Sequence, residues 1–308
     1  MPRKAREKNS HSIYHVMCRS ISEILLFKDD SDKDFYLHLL KRYTDRYRCS
    51  LYAYCLMDNH LHLHFDPRGF DISKFMHSVN TSYVRYFNKK YSRHGHVFQD
   101  RFESRILSTD EYNLAVSAYI HNNPHDIEGF SGSEEKYKYS SYGIYLGLRP
   151  DQHKLIDRSF IISMFNISDY KVFANRYYEF ASRQRELTLQ NHPNEAISTT
   201  VENEYISGRK IILREHSASK VISFISDKLM IKQQNNLATK SRIKLIRYRA
   251  FTAYVLRVLC GLGYKEICNY MFNITISACS QLCNKGYELL DQDKSYFDVF
   301  NELADCPI

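Results

Sequence analysis

The sequence predicts an α+β fold, a ferredoxin-like (split βαβ) antiparallel sheet followed by an all-α domain. Three observations lead there. Alternating and amphipathic segments follow one another as β-α-β-β-α-β plus a helix over residues 11–123. Within them, MDNHLHLHF (57–65) sets His60, His62 and His64 two residues apart in a strand-like run, so their imidazoles share one face. From about 209 to 292 the hydrophobic pattern is entirely helical.

Each element has its own justification. HSIYHVMCR (11–19) alternates and reads as the first strand. DDSDKDFYLHLLKRYTDRY (29–47) carries acids in its first turns and apolar residues at helical spacing, so it reads as a helix. CSLYAYCLM (49–57) and HLHLHF (60–65) are strands joined by the Asp58-Asn59 turn. DISKFMHSVNTSYVRYFNKKYSR (71–93) is amphipathic and ends in basic residues, a second helix. HVFQDRFESRIL (96–107) reads as a fourth strand or an extended arm, and STDEYNLAVSAYIHNN (108–123) as a helix capped by Ser108 or Thr109 and stopped by Pro124. The order is the split βαβ layout, with the histidine strand central and the last helix able to pack across it. Residues 127–208 are less regular.

Composition narrows the function classes. The 308 residues include 43 Lys and Arg against 35 Asp and Glu, a net +8, and the excess is uneven. Four cations and no acid lie between Arg85 and Arg93; eleven cations and two acids lie between Arg209 and Arg249. These stretches read as two surfaces for a polyanion or, alternatively, as solvated helix faces. Twenty-five tyrosines offer flat faces and hydroxyls suited to single-stranded nucleic acid. The eight cysteines form no CxxC pair, which argues against a zinc site and for reduced thiols in a cytoplasmic setting. The start, MPRKAREKNSHS, lacks the apolar core of a signal peptide, and no apolar run reaches the ~18–20 residues of a membrane span.

Imidazoles on one strand face are half of a metal site, or merely polar-face residues. With AYIHNNP (118–124) and the other segments in place, residues 1–165 resemble the HUH single-tyrosine transposases, particularly the REP-associated tyrosine transposases and the single-strand transposases of insertion sequences. The resemblance rests on YHVMCR (14–19), YAYCLMDNHLHL (52–63), YFNKKYSRHGHVFQDRFES (86–104), YIHNNP (119–124) and YKYSSYGIYLG (137–147), in the family's order and spacing. It implies an HUH endonuclease site in which His60 and His62 ligate Mg²⁺ or Mn²⁺ and Asn123, one helical turn after Tyr119, supplies an oxygen donor. It implies Tyr119 as the nucleophile, leaving a 5′-phosphotyrosine and a free 3′-OH. Tyr112 is the rival nucleophile, Asn123 could be a plain helix cap, and His64, where the family has an apolar residue, could pair with His62 instead. His121 points elsewhere on the helix.

Lys89, Lys90 and Arg93 are candidates to neutralise DNA phosphates, and Gln99 and Arg101 to read bases or fix the strand, with His15 and Arg19 weaker candidates of the same kind. In the C-terminal half, SRIKLIRYRAFTAYVLRVLC (241–260), GLGYKEICNYM (261–271) and NITISACSQLCNKGYELL (273–290, Thr275 as N-cap) give a helix-turn-helix spacing that looks like the DNA-binding domain of DnaA-type initiators. Ser277, Ser280, Gln281, Asn284 and Lys285 would then be exposed on the recognition helix; a plain three-helix accessory domain is the alternative.

The sequence thus divides into a catalytic domain (1–165), a connecting region (166–208) and a helical DNA-binding domain (209–308). The expected protein is a DNA transposase that nicks and rejoins single-stranded DNA at repeat-derived hairpins, with duplex DNA as a further partner of the C-terminal domain and a homodimer as one assembly. Its rivals are a domesticated DNA-binding regulator, a replication-initiator or relaxase-type nickase, and an RNA-binding sheet. No helicase P-loop follows the tyrosine, and the central strand carries histidines where an RNA-binding sheet would expose aromatics.

Overall fold

Residues 12–190, 212, 214, 216–231, 243–271 and 274–305 are described by a computed structural model. Four strands, β1 (Ile13–Arg19), β2 (Ser50–Leu56), β3 (His60–Asp66) and β4 (Glu103–Leu107), form one sheet in the order β2-β3-β1-β4, every pair antiparallel. That is the split βαβ order. β4 covers only the last part of 96–107; the preceding residues bridge to the end of β1 through Ser20 and Phe98.

Helices α1 (Asp30–Tyr47) and α2 (Ile72–Lys90) pack together. Asp29 caps α1 by accepting from Asp32 N–H, where a side-chain oxygen satisfies one of the free donors of the first turn. Phe75 of α2 lies 4.2 Å from the Phe65 ring on the sheet face opposite the histidines. The histidine face is covered by α3 (Asp110–Asn122), capped by Thr109 and packed on β2 and β3. β2 is buried along its whole length, as a strand sandwiched on both faces must be. After α3 come a 3-10 turn (Asn123–Asp126) and short helices α4 (Tyr142–Tyr145) and α5 (Ser159–Ser163). Then α6 (Tyr170–Gln190) packs back onto α3, so part of the connecting segment belongs to the body of this unit.

The chain divides into two compact units, Met1–Arg68 with Ile72–Arg209, and Gly69–Asp71 with Lys210–Ile308. The described part of the second is all helix: α7 (Ala218–Lys228), α8 (Ile243–Val258), α9 (Tyr264–Met271), α10 (Ile276–Gln292) and α11 (Lys294–Asp305). α8 is its core element, with α7, α9 and α10 packed on it. Gly286 of α10 sits so close to α8 that a Cβ would fall 2.0 Å from Ala250 O, so only glycine fits this crossing. Thr275 caps α10 by accepting from Ala278 N–H, at the predicted position. Among the described residues no helix is long and apolar enough to cross a membrane.

Candidate active site

The β1–β3 register builds the site. Arg19 faces His60, Met17 faces His62 and His15 faces His64, and residues directly opposite in an antiparallel pair share a face. Arg105 of β4 faces His15 and joins that face from the sheet edge. α3 then lowers Tyr119 onto the histidines: its ring centroid lies 5.5 Å from His62 and 5.7 Å from His15, both edge-on. His60 and His62 stand 5.1 Å apart with perpendicular rings. Asn123, one turn after Tyr119, donates from Nδ2 to Tyr119 O at 2.8 Å, and its side chain lies near enough to His60 to influence that imidazole. His60, His62, Tyr119 and Asn123 therefore converge within a single chain.

The electrostatics suit neutral ligands. Burial, with the Arg19 charge, lowers His60; burial, with His15, His60 and Arg19, puts His62 well below the ordinary imidazole range. Burial and then Arg105 lower His15 to about 4. Uncharged imidazole is the form that donates a lone pair to a cation. Tyr119 is 37 % exposed, and its phenol is raised by burial while the Arg105 charge pulls the other way. Two imidazoles and an amide oxygen form a small set, and among the described residues no cluster of three His, Cys, Asp or Glu could hold a metal. A divalent cation fits here only with oxygens from water and a phosphate completing its shell, the usual habit of Mg²⁺.

His64 lies elsewhere. Its Nε2 meets Asn113 Oδ1 at 2.7 Å, with both residues fully buried, and Asn113 Nδ2 donates to Thr109 O at 2.8 Å. The amide thus directs its oxygen at His64, which pins the strand to the start of α3 rather than pairing with His62. His121 is likewise structural: its Nδ1 lies 2.7 Å from Tyr177 Oη and its Nε2 2.7 Å from Ser141 Oγ. No ring contact joins Tyr112 to the histidine strand among the described residues.

The segment 88–102 splits in its roles. Gln99 N–H donates to Arg19 O at 3.0 Å, which ties this loop to the His60 end of the site. Lys89, Gln99 and Arg101 are exposed. Arg93 is half-buried, 6.0 Å from the Phe87 ring. Lys90 departs from expectation: its ammonium contacts both Asp29 oxygens, Ser31 Oγ and Asp32 Oδ1 at 2.7–2.8 Å, so its charge is spent tying α2 to α1.

A similar correction applies to the C-terminal cations. Arg214 donates to Val258 O and Arg249 to Met271 O, both buried, while Arg247 pairs with Asp293 and Lys228 with Glu302. Lys220 is exposed. Arg209, Lys210, Lys232, Lys240, Arg242 and the side chain of Lys244 lie outside the described residues. The charge run is therefore partly helix-end capping and ion pairing. On α10, Ser277, Gln281 and Lys285 are exposed, and Ser280 and Asn284 half-buried.

Residues 8–123 match the model of a family described as "Transposase IS200 like". This part of the chain is similar to the IS200-like transposases. The match ends at Asn123, so it spans every residue gathered at the site. A solved structure, "Structure of the REP associates tyrosine transposase bound to a REP hairpin", is 13 % identical and covers 49 % of this chain and 89 % of its own, with a TM-score of 0.41. No curated protein matches the chain. His15, read from the sequence only as a weaker DNA-contact candidate, stands against His62 and Tyr119. Its alternation with Met17 and Arg19 was visible, but which strand β1 would face was not.

Proposed function

We propose that this protein is a transposase that cleaves and rejoins single-stranded DNA, with Tyr119 as nucleophile. The observation that carries this reading is the convergence of Tyr119, His60, His62 and Asn123 in one chain, with Tyr119 partly open to solvent. Tyr119 Oη attacks a backbone phosphorus; the new O–P bond forms as the P–O3′ bond breaks. The phenol proton passes to solvent, the departing 3′ oxygen takes one up, and the 5′ end stays on Tyr119 as a phosphotyrosine. Reversing the step with another 3′-OH rejoins DNA without ATP, because the phosphodiester energy is conserved.

His60, His62 and the Asn123 amide oxygen would hold Mg²⁺ or Mn²⁺. When bound, the cation polarises the scissile phosphate and supports the leaving oxygen. Arg19 beyond His60 and Arg105 beside Tyr119 flank the phosphate on the same sheet face and offset its charge. Lys89, Arg93, Gln99 and Arg101 lead the strand along the loop joined to Arg19, with hairpin DNA from repeats as the substrate class. Lys90 is left out of this surface for the reason above. The C-terminal unit adds duplex affinity through Ser277, Gln281 and Lys285 on α10, read as the second helix of a helix-turn-helix.

The test incubates the protein with Mn²⁺ or Mg²⁺ and labelled single-stranded DNA from repeats flanking its gene. A covalent protein adduct on the 5′ phosphate at a nick, absent with Tyr119→Phe, His60→Ala or chelator, is the expected result. An adduct persisting in Tyr119→Phe would refute the nucleophile assignment. Binding of these DNAs without cleavage, under both metals, would favour the regulator reading instead.

A further inference from the structure

We propose that His15 is a positioning residue that fixes the tautomer of His62, accepting its Nδ1–H so that His62 Nε2 keeps a lone pair for the cation. The inference rests on the reading of His60 and His62 as cation ligands.

The geometry is specific. His15 Nε2 lies 3.0 Å from His62 Nδ1, a hydrogen-bond distance between two nitrogens. The two ring planes differ by only 25° at a centroid separation of 5.2 Å. An imidazole N–H and lone pair both lie in the ring plane, so near-parallel planes let them meet end-on. One proton sits between these nitrogens, and it has two possible homes. If His15 Nε2 carries it, neutral His62 must hold its own proton on Nε2 and cannot ligate there. If His62 Nδ1 carries it, Nε2 is a lone pair and His15 is the acceptor.

His60 shows the same device from a different source. Its Nδ1 lies 2.6 Å from Asn59 Oδ1, an atom that can only accept, so the proton is on His60 Nδ1 and Nε2 is left for a ligand. The neighbour in the chain thus sets one histidine, and a residue on the adjacent strand sets the other. His15 is suited to that task because its position on β1, two residues from Met17 opposite His62, is fixed by the strand register rather than by a loop. Metal-bound histidines commonly place their second nitrogen on such a partner, and losing it weakens metal binding by about 10–100-fold.

The experiment records two-bond ¹⁵N–¹H correlation spectra of the metal-free full chain, labelled at histidine, with His62 assigned from the spectrum of His62→Gln. Wild type is expected to show His62 protonated at Nδ1. His15→Phe, which keeps a flat ring but offers no acceptor, should move the proton to Nε2 and weaken Mn²⁺ binding, read by electron paramagnetic resonance, by about 10–100-fold. His15→Gln, whose amide oxygen accepts, should restore both. Wild-type His62 protonated at Nε2, or a His15→Phe variant with unchanged tautomer and Mn²⁺ affinity, would overturn the proposal; the wild-type spectrum decides even if His15→Phe does not fold. A flat Mn²⁺ titration of wild type would sink the cation site itself, whereas Mn²⁺ binding with His62 protonated at Nε2 in the metal-free spectrum would sink only the role of His15.

Discussion

The helix that carries Tyr119 and is followed by Asn123 is held in register by a buried polar chain, and its removal has a calculable cost. His121 Nδ1 meets Tyr177 Oη at 2.7 Å, and Tyr177 Oη donates to Ser117 Oγ at 2.9 Å. Ser117 Oγ in turn donates to Leu114 O, so the Tyr177 hydroxyl must be the acceptor of His121 Nδ1–H. His121, Ser117 and Tyr177 have no solvent exposure. Tyr177→Phe keeps the ring, which stacks on Tyr145 at 5.1 Å, and removes only the oxygen. Two hydrogen bonds go, and a His121 donor is left buried without an acceptor. At about 1 kcal/mol for each of the two bonds and 1–3 kcal/mol for the stranded donor, the expected loss is about 3–5 kcal/mol. With a urea slope near 2 kcal/mol/M, the unfolding midpoint of this unit falls by about 1.5–2.5 M. His121→Leu and the double variant complete a cycle, which should be non-additive by about 0.5–3 kcal/mol because both single changes delete the same bond. Additivity within about 0.5 kcal/mol would refute the chain as an energetic unit.

The same residue has a pH signature. Burial, then the charges of His64 and Arg149, hold His121 well below 6.5, so it stays neutral in the folded state. The unfolded chain takes up a proton below about pH 6.5, binds more protons than the native state there, and so stability falls as pH drops. His121→Leu should make the stability slope between pH 6.5 and 5 shallower than wild type, by up to about 1.4 kcal/mol per pH unit. An unchanged slope would show that His121 titrates alike in both states.

Mixing Tyr119→Phe with His60→Ala should restore no adduct, since one chain brings both halves of the site together; recovery of cleavage near the wild-type level on a denaturing gel would demand exchange between subunits. Lys89→Ala should lower the salt slope of single-stranded DNA binding by about 0.7, whereas Lys90→Ala should leave that slope alone and lower the melting temperature, because it unties α1 from α2. Equal slopes for Lys89→Ala and wild type would remove Lys89 from the interface. Gly286→Ala should force α8 and α10 apart at a cost of about 3 kcal/mol or more, seen as lost amide protection in both helices. Retained protection would mean the crossing can yield.

Periodicity located the four strands and the helices α1 to α3 because burial on one face writes itself into alternation and 3.6-residue spacing. The strand order followed from chain connectivity. Long-range pairing was illegible, and for Lys90 that is where the site reading needed correction. Lys90 looks like Lys89 in sequence; only the packing of α1 on α2 brings Asp29 and Asp32 to one and not the other. His64 looks like His62, since a two-residue step keeps both on one face; what separates them is Asn113 arriving from α3 over His64. His121 sits midway between Tyr119 and Asn123, and its burial against Tyr177 of α6 depends on a residue 56 positions later. In each case the residue type declared a polar group and the fold chose its partner. A histidine becomes ligand, strut or anchor according to which nitrogen the neighbours occupy: His62 and His60 have Nδ1 taken and Nε2 left over, His64 spends Nε2 on Asn113, and His121 has both nitrogens bound. The division of labour among five histidines is therefore set by hydrogen-bond partners from β1, the β2–β3 turn, α3, α6 and the residue before α4, which under the proposed function leaves two of them for chemistry while three hold the site in place.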